Sequence, residues 1–120
     1  MAVEKRTEWG QTIIHDEVLA ALASRAALSV PGVVQMSQHG LADNLNSLVR
    51  HDILARGVRV DESGDGHYDV DLFLMVQYGV KIAQVGRQVA DRVNQALKEA
   101  VGSYPDHIGI HVEGVRTIEN

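Results

Sequence analysis

Residues 67–78, His-Tyr-Asp-Val-Asp-Leu-Phe-Leu-Met-Val-Gln-Tyr, alternate in character more strictly than any other stretch of this chain. Side chains along a strand point to opposite faces in turn. Tyr68, Val70, Leu72, Leu74, Val76 and Tyr78 therefore share one face, and Asp69, Asp71, Phe73, Met75 and Gln77 the other. An apolar strand face of that length has to be covered, and the cover follows directly. After the break at Gly79, Ile82, Val85, Val89, Val93, Ala96, Leu97 and Ala100 recur at helical spacing and predict a helix over 81–101. Lys81, Gln84, Arg87, Gln88, Asp91, Gln95 and Lys98 are its polar side, and Gly102 stops it.

The remaining elements follow from the same two periodicities. Gln11–Ile14 reads as a short strand. Asp16 and Glu17 place negative charge where a helix N-terminus favours it. Leu19, Leu22, Ala23, Ala26 and Val30 mark a buried helical stripe that Pro31-Gly32 terminates. Val33–Met36 reads as a strand. Leu41, Leu45, Leu48 and Val49 predict a short helix and a connector within 38–56. Val58-Arg59-Val60 pairs with the long strand through a turn at Ser63-Gly64-Asp65-Gly66, where glycine supplies positive φ without a Cβ clash. Ile108, Ile110 and Val112 alternate as a last strand.

The resulting order, β-α-β-(short α)-β-β-α-β, predicts an α+β fold: one two-layer domain, a mixed sheet with two main helices on one face. The first and last strand–helix–strand units favour right-handed crossovers if their strands share a sheet. The expected boundaries are a flexible lead at 1–10, the domain at 11–116 and a tail at 117–120. At 120 residues the chain suffices for one domain with a real core and no staple.

Composition narrows the function. The absence of cysteine excludes a thiol nucleophile, a cysteine zinc site and disulfides, and fits a reducing cytoplasm. Sixteen acidic against eleven basic residues, a net charge of −5, argue against binding a nucleic-acid backbone. The N-terminal ten residues alternate in charge and lack a signal-peptide apolar stretch, and no apolar run approaches the ~20 residues that span a bilayer. No direct membrane insertion is expected.

Candidate chemistry is sparse. Asp69 and Asp71 lie two apart on one strand face with Asp61 across the hairpin, and such a cluster can bind a divalent cation. The plainer reading is a solvated polar face that Arg59, on the partner strand, neutralises. His107 and His111 sit roughly 13 Å apart on a strand rising ~3.3 Å per residue, too far to ligate one ion. His15, His39, His51 and His67 scatter over turns. No serine occupies a Gly-x-Ser-x-Gly elbow, and no phosphate loop or Gly-x-x-Gly clamp occurs. No catalytic residue, cofactor or metal site is expected, and the chain reads as no enzyme. An RNA-binding role would require Arg25, Arg50, Arg56 and Arg59 to cluster.

Phe73 and Met75 stand apart. They point away from the helices, onto a sheet face that should be polar, and exposed apolar patches of this kind mark association surfaces. The alternative is that the 41–49 helix covers them. Trp9, alone in the lead, is either a docking residue or a peg on the domain's own surface.

Taken together, these segments resemble a bacterial family. Gln11-Thr-Ile-Ile-His-Asp-Glu-Val-Leu19, Ala26-Ala27, Val30-Pro-Gly-Val33 and Met36 are similar to the first half of the alkaline-shock/glucose-starvation envelope stress proteins. Gly57-Val-Arg-Val60, Tyr68-Asp-Val-Asp-Leu72, Val76, Tyr78-Gly79, the helix to Val101-Gly102, and Ile110-His-Val-Glu-Gly-Val115 continue the pattern over residues 9–116. The resemblance implies a small non-enzymatic cytoplasmic protein of cell-envelope homeostasis in Gram-positive bacteria. It further implies self-association and attachment to the membrane through a membrane-anchored partner. A self-associating scaffold is thus the leading expectation, with a small-molecule or divalent-metal-binding regulator using Asp61, Asp69 and Asp71 as the alternative.

Overall fold

The structure, a computed structural model, describes residues 2–37 and 57–117. The elements are β1 (Ala2–Thr7), β2 (Gly10–His15), α1 (Asp16–Leu28), β3 (Val33–Met36), β4 (Val58–Gly64), β5 (His67–Gln77), α2 (Ile82–Val101) and β6 (His107–Arg116). The α+β class stands as expected, and the helix and connector expected within 38–56 lie outside the described residues.

The sheet is organised around β5. β6 runs parallel to it from Asp69↔His107 to Gln77↔Arg116 and occupies one whole edge. A strand has two edges, so β4 and β3 must share the other, end to end. β4 pairs antiparallel with the first half of β5 (Val58↔Leu72 to Gly64↔His67), and β3 pairs antiparallel with the second half (Val33↔Val76 to Met36↔Leu74). They meet at Phe73, whose N–H donates to Gly57 O at 2.8 Å and whose carbonyl accepts from Ser37 N–H at 2.7 Å. The β4–β5 turn is Asp65-Gly66, with φ of 55° and 81°. Two consecutive positive φ values make the tight mirror-image turn whose twist matches that of the strands.

One face of β5 is core. Tyr68, Val70, Leu72, Leu74 and Val76 are buried, as the alternation predicts. Tyr78 is not one of them: it lies past the strand and is 71% exposed. α2 closes over this face with Val85, Val89, Val93, Leu97 and Val101, every fourth residue. Ile82, expected in that stripe, is exposed in the first turn, and Ala100 is exposed in the last. α1 lies beside α2 and over β3 and β4, burying Leu19, Ala20, Ala23 and Ala27. Its alanines allow two helices to fit side by side on a narrow sheet.

The N-terminus corrects the expected boundaries. The expected lead at 1–10 is not one in its described part, 2–10: Ala2–Thr7 pairs antiparallel with β2 from Ala2↔His15 to Thr7↔Gly10, and Val3 is fully buried. The charged run Glu4-Lys5-Arg6 hides this strand from a pattern search, because its pairing is main-chain and only Val3 and Ile14 face apolar neighbours. The hairpin is tied down by Ala2 N–H to Glu62 Oε2 at 3.0 Å and by Lys5 Nζ to Ser103 Oγ at 2.6 Å. It forms a separate two-stranded sheet, so β2–α1–β3 is not a crossover within one sheet. Both edges of β5 are already taken.

Asp16 opens α1 buried, with neither carboxylate oxygen hydrogen-bonded. Desolvation pushes its carboxyl above the usual range, Glu62 and Asp61 add to the effect, and the neighbouring positive charges do not offset it. Relative to the unfolded chain, the folded state holds this proton more tightly, and stability at this site is lost as pH rises from the unfolded value near 3.8 through the raised folded value. Asp16→Asn removes that loss. The variant is expected to be more stable than wild type at neutral pH by about 1 kcal/mol, with the gap closing in acid, as read by urea melts across pH. A pH-independent gap would show that the charge is not the cause.

Candidate interaction face

No described element packs on the second face of the sheet. Its side chains come from four strands: Arg59 and Asp61 from β4, Asp69, Asp71, Phe73 and Met75 from β5, His107 and His111 from β6, and Gln35 from β3. Antiparallel register sets Arg59 opposite Asp71 and Asp61 opposite Asp69, while parallel register sets His111 opposite Phe73.

Asp71 is the polar centre. It accepts from Arg59 Nη2 at 3.0 Å and meets His111 Nε2 at 3.0 Å. Burial alone would raise its carboxyl, but the hydrogen bonds from His111 and Arg59, with their charges, hold it below the usual carboxylate range. Arg59 also reaches Asp61, Nε to Oδ2 at 3.5 Å. The imidazole of His111 stacks on Phe73, centroids 4.4 Å apart and planes 16° from parallel, and the Arg59 guanidinium lies 5.8 Å from the Phe73 centroid. Phe73 is thus flanked by cationic or cationisable groups from both neighbouring strands.

Two glycines on β6 make room for this layer. A Cβ on Gly109 would overlap Asp71 Oδ1, and one on Gly114 would sit 2.7 Å from Met75 Cε. Asp71 and Met75 lean into slots that any other residue would fill. Ser37, buried beside Phe73, donates to Glu113 Oε1.

Phe73 and Met75 therefore lie where their alternation places them, half-buried on the sheet face that carries no described helix, and the 41–49 helix expected as an alternative cover lies outside the described residues. They do not form a bare apolar patch but the floor of an aromatic and charged cluster. Asp61, Asp69 and Asp71 share that face as well, yet Asp71 and Asp61 are engaged by Arg59, in line with the plainer reading. Among the described residues no three His, Cys, Asp or Glu side chains converge on a point suited to a metal ion. His107 and His111 occupy separate positions along β6. His67 faces Asp106 at 3.1 Å on the exposed turn side. Arg25 is on the outside of the helix layer and Arg59 on the far sheet face, so these two do not cluster; Arg50 and Arg56 lie outside the described residues. Trp9 is no peg on the domain: it stands in the hairpin turn, 90% exposed.

The sequence weighs His111 only as a metal ligand beside His107, and it does not single out Gly109 or Gly114 at all. Their place depends on the parallel register of β5 and β6, which joins residues about 40 apart, and no local pattern carries it.

Among known proteins, the alkaline shock protein family, described as having a cell envelope-related function, matches residues 4–117. The uncharacterized protein YloU of Bacillus subtilis is 35% identical over 117 residues, 97% of each chain. The uncharacterized protein Spy1614 of Streptococcus pyogenes is 32% identical over 119 residues, 98% of each chain. The uncharacterized protein YqhY of Bacillus subtilis is 30% identical over 113 residues, 92% of this chain and 80% of that one. No solved structure matches.

Proposed function

This chain belongs to the alkaline shock protein family, whose function is related to the cell envelope, and from that premise we propose that it is a non-enzymatic scaffold. In this reading it self-associates and holds a complex at the cytoplasmic side of the membrane. Among the described residues no helix is long and apolar enough to cross a membrane. The attachment is therefore assigned to a membrane-anchored protein partner.

The observation that carries the proposal is the sheet face opposite the two described helices. Phe73 and Met75 supply apolar area at its centre, and Arg59, Asp71 and His111 hold the cluster in one arrangement before any partner arrives. A face whose aromatic anchor and charges are already ordered loses little side-chain freedom on binding, which is what makes such a surface effective. The carboxylate at its centre is committed to Arg59 and His111 and serves positioning, not proton transfer. β6 adds an edge strand of ten residues to which no other described strand pairs on its outer side, available for main-chain pairing.

The test is the double variant Phe73→Asp with Met75→Asp, followed by light scattering and circular dichroism. The expected result is a folded protein whose assemblies are smaller than those of wild type. An unchanged mass removes the sheet face from the proposal.

A further inference from the structure

The two helices share one layer but differ in what they show to solvent. α2 presents Gln84, Arg87, Gln88, Asp91 and Gln95, the polar outer face expected of a covering helix. α1 does not. At 100° per residue its buried residues centre on Leu19, Ala20, Ala23 and Ala27, and the opposite side carries Val18, Ala21, Arg25 and Leu28 at spacings of three, four and three. Val18 and Leu28 are 47% and 46% exposed, and Leu22, expected in the core, is only half-buried. A shallow groove of about 360 Å³ runs along this side between Glu17, Val18, Ala21, Leu22 and Arg25. A helix that is apolar nearly all round is one meant to be covered on both sides.

The charges on this stripe identify the cover. Glu17 and Arg25 are eight residues apart, about 12 Å along the axis at 1.5 Å per residue, too far to pair within one helix. Neither has an ion-pair partner among the described residues. Turn a second copy of α1 antiparallel about a two-fold axis through Ala21, and Glu17 of each copy falls beside Arg25 of the other. Ala21, small, sits at the crossing and lets the helices approach, while Val18 and Leu22 fill either side. Antiparallel packing also sets the positive end of each helix against the negative end of its neighbour. The stripe is thus complementary to itself, the property that a two-fold interface requires.

We infer that the outer face of α1 is a two-fold interface between copies of this chain, registered by reciprocal Glu17–Arg25 pairs around Ala21. The inference rests on the self-association reading and gives it a second surface. α1 and the sheet face that holds Phe73 and Met75 lie on opposite sides of the domain, so a chain using both extends beyond a dimer, as a scaffold must.

Charge exchange tests it on the full chain by sedimentation equilibrium across a dilution series. Glu17→Arg alone and Arg25→Glu alone each turn both reciprocal pairs of the dimer into like-charge pairs and are expected to weaken dimerisation by about tenfold. Combining Glu17→Arg with Arg25→Glu restores the pairs with their signs exchanged and recovers wild-type affinity. Ala21→Glu, an outward change to a good helix former, abolishes the dimer while the circular dichroism spectrum stays that of a folded protein. The Phe73→Asp, Met75→Asp variant remains a dimer. Single reversals with wild-type affinity, or a double variant that stays as weak as the singles, overturn the inference. If in addition the sheet-face variant alone reduces the mass, self-association survives and only the α1 interface falls. A wild type that is monomeric throughout overturns both.

Discussion

Gly57→Ala is expected to be among the most damaging single-methyl changes in this protein, costing about 3 kcal/mol or more. A Cβ at this position would lie 2.8 Å from Met36 Cβ and 2.9 Å from the backbone oxygens of both Phe73 and Ser37. None of these is the movable end of a long side chain. Overpacking a tight site costs roughly 1–3 kcal/mol, and a φ of 72° adds the penalty for a left-handed L-residue, about 1–2 kcal/mol. The damage is specific because Gly57 is where β4 begins against the end of β3, both hydrogen-bonded to Phe73. Gly79→Ala supplies the control. Gly79 has a φ of 95° but nothing within 4 Å of the added methyl, so only the conformational penalty applies. Urea midpoints of the two variants, with hydrogen exchange at the Ser37 and Phe73 amides, separate the effects. Equal losses would mean that the crowding at the β3–β4 junction is relieved at no cost.

The second large effect appears in alkali. Tyr68 is fully buried and donates its hydroxyl hydrogen to Ser103 O at 2.9 Å. Desolvation, with a smaller contribution from Asp106, pushes its phenol up to about 12 from an ordinary value of 10.0. Between those values the folded state holds a proton that the unfolded chain has released. Stability therefore falls as pH rises, with this site's contribution intact below about 10 and lost as pH passes through about 12. Two pH units correspond to about 3 kcal/mol at 1.36 kcal/mol per unit. Tyr68→Phe is expected to be less stable than wild type at neutral pH by about 1 kcal/mol, the worth of one hydrogen bond. In strong alkali the order reverses, since phenylalanine has no proton to lose. Parallel stability curves for the two proteins from neutral to alkaline pH would exclude Tyr68 as the titrating group.

Both predictions concern residues that a pattern reading finds easily and explains only in part. Gly57 stands in the sequence just ahead of the Val58-Arg59-Val60 strand. Its actual constraint is the end-to-end meeting of two strands whose connection runs through residues 38–56, and only the paired sheet reveals that meeting. Tyr68 reads as one of six alternating apolar positions, five of which are buried; Tyr78, the sixth, falls beyond the last ladder pair and turns out to solvent. The candidate face divides similarly. Phe73 and Met75 are legible because strand periodicity alone decides which side they take. The bond from Arg59 to Asp71 follows from the hairpin, a local contact. The stacking of His111 on Phe73 and the slots at Gly109 and Gly114 are not legible, because they depend on a pairing between distant segments.

Local periodicity thus decided the described secondary elements from Asp16 onward, the inward face of β5 and the apolar stripe of α2, since each depends on side chains only a few residues apart. Tertiary structure decided three further matters. It placed Val3 in the core through a hairpin whose charged sequence carries no strand pattern. It gave both edges of β5 to other strands, which excluded β2 from the main sheet. And it left the apolar outer side of α1 without a neighbour among the described residues, because a sheet three strands wide has room beneath it for one face of each helix and no more.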